Sequence, residues 1–162
     1  MRLFRMFADK NTFYDTLNAQ AEALIADETD LIANMANLSA LLFLEMPDLN
    51  WAGFYIMRDG ELVLGPFQGK PACVRIPVGK GVCGTAVATG ELQLVRDVHE
   101  FPGHIACDAA SNSEIVLPVR HAGQIIAVLD IDSPSLARFD QGDAKGLSRL
   151  VQIFEQRLEQ TL

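Results

Sequence analysis

The dipeptide Asp59-Gly60 sits between two stretches of strand-forming residues, Trp51 to Arg58 and Glu61 to Leu64, and it commits the chain to an antiparallel sheet. A two-residue turn of this type needs positive φ, which glycine adopts at no steric cost, and its twist matches that of the strands it joins. A second turn, His121-Ala122-Gly123, links strands predicted over Glu114 to Arg120 and Gln124 to Asp132. Pro118 predicts an edge position or a bulge there, because proline brings no N–H to a ladder. Short runs at Cys73 to Ile76 and Leu92 to Val95 bring the expected number of strands to about six.

Helical periods flank these strands. Phe13, Leu17, Ala21 and Leu24 predict a helix ending near Asp27, with Asn11 or Thr12 as its cap. A second helix runs from about Thr29 until Pro47 forbids continuation, with Leu31, Met35, Leu38 and Leu42 on one face. Leu41, Phe43 and Leu44 broaden that stripe and predict heavy burial against the sheet. After the Gly79-Lys80-Gly81 turn, a short helix is expected from Val82 to Ala88, closed by Gly90. Asp140 caps a last helix whose stripe is Leu147, Leu150, Val151, Phe154 and Leu158. The implied class is α+β, a mostly antiparallel six-stranded sheet with helices on one face and a loop-covered pocket on the other. The 162 residues make one domain, 1–162.

Side chains alternate along a strand, so Trp51, Gly53 and Tyr55 share one face while Ala52, Phe54 and Ile56 share the other. In the last strand Ile125, Ala127, Leu129 and Ile131 line one face, and Ile126, Val128, Asp130 and Asp132 line the other. Two carboxylates at a strand exit suit a solvated end. They also suit an anchor for a cationic group, or an acid whose proton is retained because its neighbour is charged. Trp51 and Tyr55 are read either as core aromatics or as pocket walls.

A net charge of -8 with 13 Lys and Arg excludes a clustered basic footprint for nucleic acid and disfavours anionic membranes. No apolar run reaches the roughly 18 residues of a membrane span. The start, MRLFRMFADKN, lacks the apolar core and cleavage site of a secretory signal, so a cytoplasmic protein is expected.

All three cysteines fall between Gly65 and Glu114, each beside small residues or turn formers, where a thiol that must meet a substrate is expected. Cys73, Cys83, His99, His104 and Cys107 could supply a zinc site, but no tight C-x2-C knuckle is present and no metal is expected. The remaining readings are thiol redox chemistry, which needs an accessible thiolate and a second thiol within reach, and three ordinary cysteines. His99, His104 and His121 are read as incidental. The segment from Asp97 to Ser113 has no period and carries Cys107, the kind of long loop reserved for binding or catalysis.

Four stretches, NWAGFY (Asn50 to Tyr55), GPFQGKPACVRIPVGKGVCGTA (Gly65 to Ala86), DVHEFPGHIACDAASNSEIVLP (Asp97 to Pro118) and LDIDSP (Leu129 to Pro134), resemble the free methionine-(R)-sulfoxide reductases, which are built on a single GAF domain. The resemblance runs from about Tyr14 to Phe154. It implies that Cys107 attacks, that Cys73 resolves, and that Cys83 is an additional thiol able to assist recycling. It places Glu114, Asp130, Asp132, Trp51 and Tyr55 around the substrate, free methionine-(R)-sulfoxide. It implies no bound cofactor, recycling of an intramolecular disulfide by thioredoxin, and a homodimer. The rival class is a non-catalytic GAF sensor of a small ligand or of redox state, against which stands the lack of an output domain or coiled-coil extension in the chain.

Overall fold

A computed structural model describes residues 9–160; the first eight residues of the segment read for a secretory signal lie outside them. Six strands form one sheet: β1 (Trp51–Arg58), β2 (Glu61–Gly69), β3 (Arg75–Pro77), β4 (Gln93–Val95), β5 (Ser113–His121) and β6 (Gln124–Ser133). Their order is β3-β2-β1-β6-β5-β4, and every neighbouring pair is antiparallel. Among the described residues four α-helices accompany them, α1 (Lys10–Ile25), α2 (Leu31–Glu45), α3 (Gly81–Thr89) and α4 (Gln141–Glu159). The three long helices cover one face, burying Phe54, Ile115, Leu117, Leu129 and Ile131. The short α3 lies on the other face, where Val82 and Ala86 pack with Trp51, Tyr55, Val116 and Val128. The predicted alternation in β1 therefore separates two cores.

The strand bounds differ from expectation where a bulge intervenes. β2 was expected to stop at Leu64 but continues to Gly69, because Gly53 faces Phe67 while Tyr55 faces Leu64, which leaves one extra residue on β2 around Gly65-Pro66. A bulge frees Pro66 from the ladder, so a turn-like dipeptide sits inside a strand. A second slip lies between Val119 and Arg120, which face Ala127 and Ile125. It breaks the expected alternation and puts Ile126 against the helix-side core. Both readings of Pro118 apply: β4 ends its pairing at Val116, leaving Pro118 on an open edge one residue from this bulge.

One helix stripe is rotated from that expected, and a second is narrower. Asp9 caps α1, accepting from Thr12 N at 3.1 Å and Thr12 Oγ1 at 2.6 Å, so Asn11 and Thr12 lie inside the helix. The buried stripe is Tyr14, Leu17, Asn18, Ala21 and Ile25, with Leu24 exposed. Asp30 caps α2, where Met35, Leu38 and Leu42 are buried as expected and Leu31 and Leu41 pack beside them, while Phe43 and Leu44 stay exposed. The cap at Asp140 and the α4 stripe are as predicted, and Asp143 closes a capping box.

The crossing of α1 and α4 depends on Gly146, where a Cβ would lie 2.1 Å from Cγ of the Tyr14 ring. That ring cannot retreat, because its hydroxyl donates to Asp143 Oδ1 at 2.7 Å while Lys10 Nζ holds Oδ2 at 2.6 Å. Gly146→Ala is expected to destabilise the fold by about 2 kcal/mol, with overpacking of about 3 offset by about 1 from helix propensity. Urea unfolding measures it, and a variant as stable as the parent would contradict this packing.

Candidate active site

Strand register alone gathers the acids. Asp132 pairs with Glu114 across β5 and β6 and with Trp51 across β1 and β6, while Asp130 pairs with Val116 and Gly53. Paired residues point to the same face, so Trp51, Tyr55, Glu114, Asp130 and Asp132 all line one cavity on the side away from the long helices. The space between sheet and roof, mouth included, is about 490 Å³.

The aromatic wall is stacked and tethered. Trp51 lies between Phe67 and Tyr55, with ring centres 5.1 and 5.8 Å away. Gly53 is required here, since a Cβ at that position would fall 2.3 Å from Phe67 Cβ. The polar ends of the aromatics hold the roof. Trp51 Nε1 donates to the Lys70 carbonyl at 3.2 Å, and Tyr55 Oη donates to the Cys73 carbonyl at 3.0 Å. Burial, then the nearby Asp130 charge, pushes the Tyr55 phenol far up, so it remains a donor.

Cys73 and Cys107 are joined by a disulfide across that roof, with Cα atoms 5.3 Å apart. Cys107 belongs to an irregular segment anchored to the sheet on either side of the cysteine. Val98 N donates to the Asn112 carbonyl at 2.9 Å, and Asn112 N donates to the Ser133 carbonyl at 2.8 Å. Asn50 Nδ2 reaches both Asp108 Oδ2 and Ser111 Oγ at 2.9 Å, tying the residues just after Cys107 to the start of β1.

Cys83 lies on the expected short helix but departs from the expectation of an accessible thiol. It is buried on α3, and its thiol points at Glu114 Oε1 at 4.0 Å. The small residues around it, read as turn formers, instead let the helix approach the chain closely: a Cβ on Gly84 would lie 2.5 Å from the Pro77 carbonyl oxygen. Burial pushes the Cys83 thiol well up, and the charges of Asp130 and Glu114 push it further.

The three carboxyls cannot all ionise. Burial, followed by the charge of Asp130, raises Glu114 and Asp132 well above the usual carboxylate range. Asp130 is raised by burial too, but hydrogen bonds from Glu114, Asp132 and Cys83 work against the rise. The cluster therefore keeps protons to higher pH than free carboxyls do and shares them around Asp130. Oδ1 of Asp130 and Oδ1 of Asp132 are buried and meet no donor apart from such shared protons.

Every residue predicted for the site lines this cavity except Cys73, which is covalently attached to it through Cys107. The five residues weighed as zinc ligands do not converge. Cys73 and Cys107 are bonded to each other, and His99 Nε2 sits 3.0 Å from Asn112 Oδ1. His104, read as incidental, also lines the cavity, as do Asp108 and Ser111. Burial and the neighbouring His99 lower its pKa, so its ring is neutral at physiological pH. A lone histidine in an aperiodic loop gave no signal for this.

A cavity-lining sulfur, a reserve of protons and a stacked aromatic wall facing one small chamber suit a thiol reaction on a small cationic molecule. The GAF domain family model matches residues 32–159. The free methionine-R-sulfoxide reductase of Escherichia coli is 59% identical over 153 residues, covering 94% of this chain and 93% of that protein. A substrate complex of the Staphylococcus aureus fRMsr is 54% identical with a TM-score of 0.87, covering 90% of this chain and 95% of that one. The Neisseria meningitidis free methionine-R-sulfoxide reductase, solved with its substrate, is 48% identical with a TM-score of 0.91 and covers 94% of this chain and 92% of that one. With its own sheet register gathering the cluster that the sequence pattern implies, the chain belongs to the free methionine-R-sulfoxide reductase family of GAF-domain proteins.

Proposed function

We propose that this protein reduces free L-methionine (R)-S-oxide to L-methionine, with Cys107 as nucleophile and Cys73 as resolving thiol. The observation that carries the reading is a single cavity lined by Cys107 and by three carboxyls, Glu114 and Asp130 buried and Asp132 half-buried, with Cys73 bonded to the same sulfur. In the reduced enzyme the Cys107 thiolate attacks the sulfoxide sulfur while a carboxyl of the Glu114, Asp130 and Asp132 cluster protonates the oxygen. The oxygen passes to Cys107 as a sulfenic acid, and methionine leaves. The Cys73 thiol then attacks that sulfur, expelling water and closing the disulfide. The sum is sulfoxide plus two thiols giving thioether, disulfide and water.

An external dithiol of the thioredoxin type reopens the bond by exchange in a reducing cytosol, and no prosthetic group takes part. Cys83, buried and held protonated, has no part in the attack, which leaves assistance in recycling as its redox role. The homodimer reading is supported by Ile32 and Phe43, exposed apolar residues about three turns apart on one stripe of α2.

Selectivity for the free amino acid follows from the unpartnered acceptors. The α-ammonium supplies donors to Asp130 Oδ1 and Asp132 Oδ1, whereas a peptide-bonded methionine sulfoxide has a neutral amide and leaves them unpaired. A site built to pair a polar group rejects a substrate lacking it by large factors. Free methionine (R)-S-oxide is expected to be reduced with kcat/KM about 10³-fold or more above that for the N-acetyl methyl amide. Equal rates on the two would overturn the reading.

A further inference from the structure

Cys83 is the one thiol that the attack and resolution steps leave unused, and it is neither isolated nor simply packed. Its Sγ, a Glu114 oxygen and an Asp130 oxygen all lie within 4.8 Å of one another, and all three residues are buried. Asp130 is 6% exposed, and its Oδ1 meets no donor except a proton shared with neighbouring carboxyls. Such an atom calls for a proton or a cation.

We infer that Cys83, Glu114 and Asp130 form a binding site for one thiophilic divalent cation, zinc or cadmium, at the floor of the pocket. A tetrahedral ion bonded at about 2.3 Å to sulfur and about 2.0 Å to oxygen sets those donors about 3.5 Å apart. The Cys83 Sγ to Glu114 Oε1 separation is 4.0 Å and the separations to the Asp130 oxygen are within 4.8 Å, so closure on an ion needs contractions of about half an ångström to somewhat more than about 1 Å. One sulfur with two carboxylates selects against magnesium and calcium, which prefer oxygen alone. Binding displaces to solvent the thiol proton and the proton that Glu114 shares with Asp130, and forms one metal–sulfur and two metal–oxygen bonds with no change in oxidation state. Three of the residues lining the cavity reach the ion, and its fourth position opens into the chamber, where a water completes the shell. The ion takes oxygens that a substrate ammonium would use. The site is therefore separate in chemistry from the reductase reading while overlapping it in space.

The test uses the full chain in its Cys73–Cys107 disulfide form, in which Cys83 is the only free thiol. Titration with cadmium chloride is followed by the ultraviolet thiolate-to-cadmium charge-transfer band and by calorimetry, without substrate. One cadmium per chain with that band is expected, with both signals lost in Cys83→Ser and the affinity of Glu114→Gln weakened at least about tenfold. Circular dichroism establishes that each variant is folded, and Asp130→Asn, which keeps the thiol, gives a second route to the same loss. Absence of the band in the parent protein, or its persistence in Cys83→Ser, would overturn the site. Because neither readout involves turnover, its failure is distinct from a failure of the reductase reading.

Discussion

Cys107→Ser is expected to abolish reduction of methionine (R)-S-oxide, a loss of at least about 10³-fold, because the hydroxyl that replaces the thiol is a far weaker nucleophile near neutral pH. Cys73→Ser is expected to behave differently. Its Cys107 can still take the oxygen once, so one methionine per chain should appear in a burst and turnover should then stop at the sulfenic acid. The two cysteines are interchangeable in the resting disulfide but not in the reaction. Cys107 lines the cavity with Asp108 and the acids, whereas Cys73 is not among its lining residues and has its carbonyl held by Tyr55. Equal burst amplitudes in the two variants, measured by quenched flow, would contradict this division.

Glu114→Gln is the second large effect, and it works in opposite directions on activity and stability. Glutamine imitates the protonated carboxyl but can neither release nor regain a proton, so kcat is expected to fall by about 10²-fold or more. The sign for stability follows from the raised folded-state pKa. In the unfolded chain Glu114 ionises near its ordinary value of about 4, whereas in the fold burial and Asp130 keep it protonated well above that. The folded state thus binds more protons than the unfolded one across that window, and stability declines as pH rises through it. The variant removes this penalty. Its stability at pH 8 is expected to exceed the parent's by about 2 kcal/mol, roughly 4–8 °C in Tm, with the difference vanishing near pH 4. Thermal melts at the two pH values measure it, and a variant destabilised equally at both would show that Glu114 is ionised and paired.

Much of this was legible in the sequence because it depends on periods and turn chemistry. Asp59-Gly60 and the His121 to Gly123 turn commit two hairpins, and a period of two then puts Trp51 with Tyr55 and Asp130 with Asp132 on common faces. What local patterns could not show was which strands lie side by side. The pairing of β1 with β6 brings Trp51 to Asp132, and nothing near either residue encodes it. Bulges were hidden for a related reason. Gly65-Pro66 looks like a strand end when the partner is unknown, and only the offset between Gly53 and Tyr55 reveals it as an insertion. Cys83 was misjudged because glycine and alanine serve both exposed turns and tight helix packing, and a neighbouring-residue view cannot separate the two. His104 was overlooked since its place depends on the path of an aperiodic loop. The roles of the cysteines came from resemblance, with the geometry supplying a physical basis for them.

The central claim is that one sulfur takes the oxygen and a particular second sulfur removes it. Fully reduced protein mixed with one equivalent of methionine (R)-S-oxide, alkylated at once and digested without reductant, tests it most directly by mass spectrometry. The account predicts one methionine released per chain, a single peptide pair linked through Cys73 and Cys107, and Cys83 recovered alkylated. Methionine released with all three thiols still alkylated, or a linkage through Cys83 instead, would contradict it.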